Sequence, residues 1–350
     1  MVASPSDKTL IKLSKRGYFL LNNKRYREAE KTFHEALALD EANAFVLVGL
    51  GDVCRKLKNF RQAVDYYARI LEVDPRNVFA LRGMGNAYRG LQMPEKSVPY
   101  WQRYLECNPD DCHVMVRLGD SMRKLGDFDG ARQVYEQALR LGGNDKFATL
   151  GLSNLYYKIG DDERAFIALR HYLTFDADSV VALTMLGSIL HRRKEFAEAS
   201  ACFERVLRVD PENVFALSGL ANCRRGENRL PEAVALWERV LGAEPRNQNI
   251  LSRLGDAAFK LGSYERAEEY YRRSLDISFD FYSMLGLAAL MHRRGQSQQA
   301  EDYALRLLAH EGADKIRVLR LLRRIYEGTE QWEKMDLIEQ QLALLDSSSV

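Results

Sequence analysis

Small side chains recur through this sequence at a fixed interval of 34 residues, with one step of 33 near the end. The series holds only Gly, Ser or Ala: Gly17, Gly51, Gly85, Gly119, Ser153, Gly187, Ala221, Gly255 and Ala288. A second small series lies twelve residues later: Ala29, Ala63, Ser97, Ala131, Ala165, Ala199, Ala233, Ala267 and Ala300. Internal repetition at this period indicates a repeat protein, in which each repeat packs only against its neighbours.

A bulky series follows the second small series by four residues. Its members are Phe33, Tyr67, Trp101, Tyr135, Leu169, Phe203, Trp237 and Tyr271. Proline also recurs in phase, at Pro75, Pro109, Pro211 and Pro245. Small residues allow helix backbones to approach, a bulky ring fills the space that they leave, and proline cannot continue a helix. The pattern therefore predicts two antiparallel helices per repeat, ten first helices and ten second helices in all.

The stretch from Leu50 to Pro75, with Leu57, Phe60 and Tyr67 in phase, closely resembles the tetratricopeptide repeat (TPR) family. The resemblance covers about residues 10–345. It implies an all-α fold, a right-handed α-solenoid superhelix of about ten helix-turn-helix units. The array is also similar to the repeat region of O-linked N-acetylglucosamine transferases, without a catalytic domain.

The repeats predict the following organisation of the chain. Residues 1–9 are disordered or start the first helix, and residues 10–312 form nine TPR units. Residues 313–345 form a degenerate tenth unit or capping helices, because Arg323 and Met335 replace the small residues there. Residues 346–350 form a disordered tail.

The family resemblance implies that the first helices line a concave groove in which a peptide binds. The second position of the repeats forms an aromatic ladder, which consists of Phe45, Phe79, Phe147, Phe215 and Tyr282. A half-exposed apolar stripe is typical of a contact with a partner. The alternative is that the rings pack on the preceding second helix and stiffen the joint between repeats.

A polar ladder follows seven residues later, two helical turns away and so on the same face. Its members are Asp52, Asn86, Asp120, Asn154, Ser188, Asn222 and Asp256. Amide and carboxylate groups can bond the backbone of an extended ligand. The alternative is bonding within the scaffold, between adjacent first helices.

A basic ladder lies at the carboxyl ends of the first helices. It comprises Arg55, Lys56, Arg89, Arg123, Lys124, Lys158, His191, Arg192, Arg225, Lys260, His292 and Arg293. Cations there complement the helix macrodipole, which is a sufficient structural reason for them. They would also steer an acidic peptide towards the groove. Arg82, Asn86 and Arg117 partly match the set with which some family members clamp a terminal carboxylate, but Phe147 and Gly151 interrupt it.

The sequence argues against catalysis. It contains no Gly-rich phosphate loop and no HExxH or GxSxG motif, and its six histidines lack metal-ligand spacing. We therefore predict a scaffold or adaptor that binds a protein or peptide segment and has no enzyme activity, catalytic residue, metal or cofactor. Five cysteines without CxxC spacing and the lack of an apolar leader predict a cytoplasmic location and no membrane association.

Two alternative functions stay open. The final helix carries Leu337, Ile338, Leu342, Leu344 and Leu345, although terminal repeats normally have a polar outer face. It could seal a homodimer, which would make the chain a self-assembling structural module. Reading RNA with helical repeats is the other alternative, but a net charge of +2 and an acid-containing ladder argue against nucleic acid as a partner.

Overall fold

The computed structural model describes residues 5–310 and 314–347, and every regular element within them is an α-helix. The helices up to residue 177 are α1 (Pro5–Asn22), α2 (Tyr26–Leu37), α3 (Ala44–Lys56), α4 (Phe60–Val73), α5 (Val78–Gly90), α6 (Pro94–Cys107), α7 (Cys112–Leu125), α8 (Phe128–Gly142), α9 (Lys146–Ile159) and α10 (Asp162–Phe175). The later helices are α11 (Val180–Arg192), α12 (Phe196–Val209), α13 (Val214–Gly226), α14 (Leu230–Ala243), α15 (Gln248–Lys260), α16 (Tyr264–Leu275), α17 (Phe281–Arg293), α18 (Ser297–Leu308), α19 (Lys315–Gly328) and α20 (Trp332–Ser347).

These twenty helices confirm the predicted all-α fold of about ten helix-turn-helix units. Odd-numbered helices are the first helices of their repeats, and even-numbered helices are the second helices. Of the ends predicted to be disordered, residues 1–4 and 348–350 lie outside the described residues, as do residues 311–313. No helix in the described part of the chain is long and apolar enough to cross a membrane.

The chain divides into two compact blocks. The N-block spans Met1–Ala177 and the C-block spans Asp178–Val350. Each block contains five helical hairpins, so five repeats, and the two helices of every hairpin pack against each other. Each second helix also packs against the next first helix in the same block, so hydrophobic contacts pass from one repeat to the next.

The bulky series of the sequence forms the centre of each core. The ring of Tyr67 is fully buried and presses against the glycines at positions 51 and 83, which belong to two successive first helices. A Cβ atom added at Gly51 or Gly83 would lie only 2.5 or 2.4 Å from the ring. The same arrangement, a ring between two glycines, recurs around Phe33, Tyr135, Phe203 and Tyr271. The ring thus joins one repeat to the next, and the two glycines make room for it.

Asparagine or aspartate caps fix where most first helices begin. The Asn77 side chain accepts a hydrogen bond from the backbone N–H of Ala80, with 3.1 Å between the two atoms, and so satisfies one of the unpaired groups at the start of α5. Equivalent caps are made by Asn43, Asp111, Asp145, Asn213, Asn247, Asp280 and Asp314. The aromatic ladder residue stands two positions after its cap, so the cap determines which way that ring points.

The turn between the two helices of a repeat contains one residue in the left-handed region. This residue is Lys24, Lys58, Gln92, Gly126, Gly160, Lys194, Asn228, Gly262, Gly295 or Glu330, according to the repeat. Glycine adopts such a φ without a steric cost, whereas a residue with a Cβ atom does not. The repeats whose turn residue is not glycine therefore carry backbone strain.

We expect Lys194→Gly to raise the free energy of unfolding by about 1 kcal/mol, because it relieves the strain of a φ of 64°. Urea unfolding followed by circular dichroism measures the change. The reverse change, Gly126→Ala, should lower the free energy of unfolding. Its new Cβ would meet no atom within 4 Å, so the loss would come from backbone strain alone. Unchanged midpoints in both variants would contradict this account.

Candidate functional site

The predicted aromatic ladder lies on the surface of the first helices that faces away from the second helices, here called the first-helix face. All five rings are more than half exposed, from 53% for Phe147 to 77% for Phe215. The ring of Phe45 lies 4.5 Å from that of Tyr18, which belongs to a first helix. These rings are thus apolar surface rather than core, as a contact with a partner requires.

The aspartates of the polar ladder bond the scaffold. The hydroxyl groups of Tyr67, Tyr135 and Tyr271 donate to the carboxylates of Asp52, Asp120 and Asp256, at oxygen–oxygen distances of 2.9, 2.7 and 2.8 Å. In each of these repeats, the tyrosine stays buried while its hydroxyl reaches the ladder aspartate of the first helix. One carboxylate oxygen is therefore committed to the second helix of its own repeat.

The asparagines of the polar ladder have different partners. Arg117 donates to the side-chain oxygen of Asn86 over 2.8 Å, and Arg253 donates to that of Asn222. Each bond joins two successive first helices, which is the scaffold role that the sequence left open. Two ladder residues remain. Asn154 is half-buried on α9, and the hydroxyl of Ser188 donates to the carbonyl of Thr184 within α11 over 2.8 Å.

The basic ladder is partly neutralised by the polar one. Arg55 contacts the carboxylate of Asp52 at 2.9 Å and Arg123 that of Asp120 at 3.8 Å. Lys158 lies 5.3 Å above the ring of Phe128, and the guanidinium of Arg225 lies 5.8 Å from the ring of Trp237. Arg89 and Arg192 are exposed at the carboxyl ends of α5 and α11. Arg55 and Arg123 are thus held in place by aspartates of the polar ladder.

Three adjoining cavities on the N-block bring residues of all three ladders together. The apolar cavity, of about 440 Å³, is lined by Tyr18, Phe45, Phe79, Asp52 and Arg82, among others. The cationic cavity, of about 340 Å³, is lined by Arg55, Lys56, Arg82, Asn86, His113 and Arg117, among others. The mixed cavity, of about 330 Å³, is lined by Arg89, His113, Val116, Arg117, Asp120 and Phe147.

These cavities form one path, here called the N-block groove. Arg82 lines both the apolar and the cationic cavity, and His113 and Arg117 line both the cationic and the mixed cavity. The predicted residues Phe45, Phe79 and Phe147 are therefore brought into one groove. Tyr18 also lines the groove, and it lies 34 residues before Asp52, at the polar-ladder position of the first repeat.

Positive charge accumulates in the cationic cavity. The pKa of Arg117 is lowered, first because the guanidinium is buried and then because Arg89, Arg55 and Arg82 repel its charge, while Asp111 opposes the shift. Cations that repel one another at one place favour an anion there. Within the described residues, no three His, Cys, Asp or Glu side chains come together as a metal site would need.

Comparison with known proteins agrees with the architecture. Two family models, both described as tetratricopeptide repeat, match the chain, one over residues 8–76 and the other over residues 116–180, 184–236 and 224–279. Among curated proteins there is no significant match.

Several solved structures share the fold. A tetratricopeptide repeat protein from Parabacteroides merdae has a TM-score of 0.53 and 16% identity, over 71% of this chain and 98% of its own. Pseudomonas aeruginosa pilF has a TM-score of 0.53 and 18% identity, over 61% and 97%. PilW, described as a type IV pilus biogenesis factor, has a TM-score of 0.50 and 20% identity, over 61% and 97%.

Consecutive hairpins joined by rings between glycines define a helical-repeat protein. The chain belongs to the tetratricopeptide repeat family. Proteins of this family generally act as protein-interaction scaffolds and are typically not enzymes.

The tyrosine–aspartate bonds predict a response to alkaline pH. Burial, and then the charge of the neighbouring aspartate, raise the pKa of Tyr67, Tyr135 and Tyr271 well above the usual value of 10.0. The unfolded chain loses these protons above pH 10 while the folded chain keeps them. The free energy of unfolding should therefore be unaffected by these groups below pH 10 and fall above it, by up to about 1.4 kcal/mol per pH unit for each tyrosine.

Urea midpoints measured between pH 8 and pH 11 would test this. Tyr67→Phe keeps the ring between Gly51 and Gly83 but removes one ionisable hydroxyl, so its stability should fall less steeply than that of the wild type. An equally steep fall in both proteins would show that Tyr67 does not contribute.

Proposed function

We propose that this chain is a non-enzymatic scaffold that binds an extended segment of another protein in the N-block groove. The segment would be acidic and would carry apolar side chains at intervals. Family membership supports the general role, and the chemistry of the groove supports this class of ligand.

The observation that carries the proposal is the order of the three cavities. An apolar cavity at one end is followed by a cationic cavity and then by a cavity that again contains a phenylalanine. An extended peptide could place one apolar side chain near Phe79, an acidic one near Arg82 and Arg117, and a second apolar one near Phe147. Exposed aromatic rings are a frequent source of binding energy, and the charged groups contribute selectivity and association rate.

The groove also favours a protein segment over nucleic acid. Asp52 lines the apolar cavity, Asp111 the cationic cavity and Asp120 the mixed cavity, so a carboxylate interrupts the positive charge at every step. A continuous phosphate backbone would meet these carboxylates, whereas a peptide can place neutral residues beside them. A ligand of this kind would bind with micromolar affinity, roughly 8 kcal/mol.

The double variant Phe79→Ala with Phe147→Ala should weaken peptide binding by at least about tenfold, because it removes two apolar anchors. Peptides can be selected from a random display library on the immobilised wild-type chain, with enrichment of acidic sequences that contain Phe or Leu. Their affinities are then measured by fluorescence polarisation for both proteins. Far-UV circular dichroism of the variant should be nearly that of the wild type.

Ala131→Leu is the matched control. Ala131 is fully buried in the core, so the larger side chain should cost on the order of 1–3 kcal/mol of stability while peptide affinity stays unchanged. If the double variant lost much of its helicity, the rings would be structural and the groove would need another explanation.

Self-association is a second candidate function, favoured by α20. One side of this helix packs on the C-block core through Ile338. Trp332, Leu337 and Leu344 are instead exposed, at 54, 58 and 69%. A second copy of α20 could cover Leu337 and Leu344 in a symmetric contact.

For this candidate we expect a dimer at micromolar concentrations, measured by light scattering after size-exclusion chromatography. Leu337→Lys with Leu344→Lys should convert it to a monomer, because the charges would be buried without partners. Ala343→Lys adds a charge at an exposed position on a different side of α20 and should leave the dimer intact. A monomeric wild type would eliminate this function.

A further inference from the structure

Two arginines interrupt a second glycine series of the first helices. This position is occupied in five repeats by Gly49, Gly83, Gly151, Gly219 and Gly286, and in two others by Arg117 and Arg253. Each arginine comes directly after a repeat whose central ring is tryptophan, Trp101 or Trp237. Met185 also departs from glycine, but it follows Leu169, which is not aromatic.

The exchange of glycine for arginine changes how the first helices pack. A Cβ atom at any of those five glycines would lie 2.2 to 2.4 Å from the ring of the preceding repeat, so only glycine allows the close approach. In the N-block, α1 and α3, α3 and α5, and α7 and α9 pack closely, while α5 and α7 come together more loosely. In the C-block, α11 and α13 and also α15 and α17 pack closely, while α13 and α15 come together more loosely, as do α17 and α19 of the degenerate final repeat. Between regular repeats in the described part of each block, the joints that are loose are those that carry Arg117 and Arg253, here called the two loose joints.

A hydrogen bond between side chains crosses each loose joint. Arg117 donates to Asn86 across the first, and Arg253 donates to Asn222 across the second. Tryptophan has no hydroxyl that could reach the polar ladder, and the buried indole N–H groups of Trp101 and Trp237 have no acceptor within the described part of the chain. In the two tryptophan repeats the polar-ladder residue is an asparagine, Asn86 or Asn222. In the repeats where a tyrosine hydroxyl donates to the polar-ladder residue, that residue is an aspartate.

The replacement of aspartate by asparagine removes the local negative charge. Burial lowers the pKa of Arg117 and Arg253, and neighbouring arginines, among them Arg89 for the first and Arg225 for the second, lower it further. The ladder residue that each arginine contacts is an uncharged asparagine, and for Arg117 the nearby Asp111 compensates the charge only in part. Each loose joint therefore combines clustered positive charge with an amide that can donate hydrogen bonds.

The two joints repeat the same set of residues four repeats apart. The N-block set is Phe79, Asn86, Arg89, Trp101 and Arg117, and the C-block set is Phe215, Asn222, Arg225, Trp237 and Arg253. Phe79 and Phe215 are both exposed, on the same helices as Asn86 and Asn222. An apolar anchor and an anion-accepting group thus occur together once in each block.

We propose that the chain has two equivalent sites, one in each block, each of which binds an acidic side chain together with a neighbouring apolar side chain. The proposal rests on the proposed function for the N-block site and adds a second site of the same chemistry. The partner is a protein that presents this acidic and apolar motif, and each chain binds two copies of the motif.

Isothermal titration calorimetry with a short synthetic peptide of repeating Glu-Glu-Phe tests the proposal. The wild type should bind two peptides per chain. Asn86→Asp should abolish the N-block site and Asn222→Asp the C-block site, each leaving one peptide per chain and lowering affinity at its own site by at least about tenfold, because the new carboxylate neutralises the arginine. The double variant should show no measurable binding.

Matched controls separate this effect from a change in net charge. Asn144→Asp and Gln299→Glu each add one negative charge at an exposed position outside the first helices, and both should leave two sites. Arg117→Gln and Arg253→Gln remove the cation without adding an anion. They should reproduce the loss of one site each, even if an aspartate variant fails to fold.

The outcomes distinguish the two proposals. A wild type that binds one peptide, with binding lost in Asn86→Asp and retained in Asn222→Asp, would overturn the second site and leave the proposed function standing. Loss of both sites in a single variant would also overturn the two-site arrangement. No binding of the peptide to the wild type would overturn both proposals.

Discussion

The packing of one buried ring between glycines of two successive first helices organises this protein. Tyr67 touches both Gly51 and Gly83 so closely that neither position has room for a Cβ atom. The ring belongs to one repeat and the second glycine to the next, so the contact couples neighbours and propagates a single geometry within a block. The stability of a block is then a sum of such contacts, in each of which a large ring packs against a glycine, which has no side chain.

This packing also decides the chemistry of the surface. The hydroxyl of a core tyrosine donates to the ladder aspartate of its own repeat, and at Asp52 and Asp120 a nearby arginine balances the charge. A tryptophan at the same position has no hydroxyl to donate. In those repeats the ladder residue is asparagine, and the next first helix carries an arginine that bonds it. The choice of one core ring is thus coupled to the net charge of a patch on the surface. A functional difference between repeats can therefore follow from the choice of one core ring.

The first-helix face carries both neutralised and positive patches. In the repeat of Asp52, the exposed Phe45 stands on a helix whose Asp52 and Arg55 form an ion pair. In the repeat of Asn86, the exposed Phe79 stands on a helix that carries the cations Arg82 and Arg89. A partner with acidic residues at matching intervals gains from both kinds of patch, whereas a uniformly charged polymer does not.

Much of the fold could be predicted from the sequence because repeat positions report packing directly. The small series, the bulky series and the in-phase prolines identify the number of helices and their order, and α4 ends at Val73, just before Pro75. Where the ladder side chains bond could not be predicted in the same way. Asp52 and Asn86 occupy the same repeat position, yet one accepts from the second helix of its own repeat and the other from the following first helix. The repeat position of a residue does not reveal which partner it bonds. That partner is the donor side chain, 15 or 31 residues away, that is long enough to reach it.

The sequence by itself determined that this chain folds into helical hairpins of the tetratricopeptide type, because only small residues in fixed phase allow paired helices to nest. It also placed the aromatic, polar and basic ladders on the first helices, since helical periodicity fixes which residues share a face. Only the tertiary structure decided which of those side chains are committed to the scaffold. The reason is that hydrogen bonds and screening of charge depend on distances of a few ångströms between helices, and those distances are set by the ring or the arginine that packs at each joint.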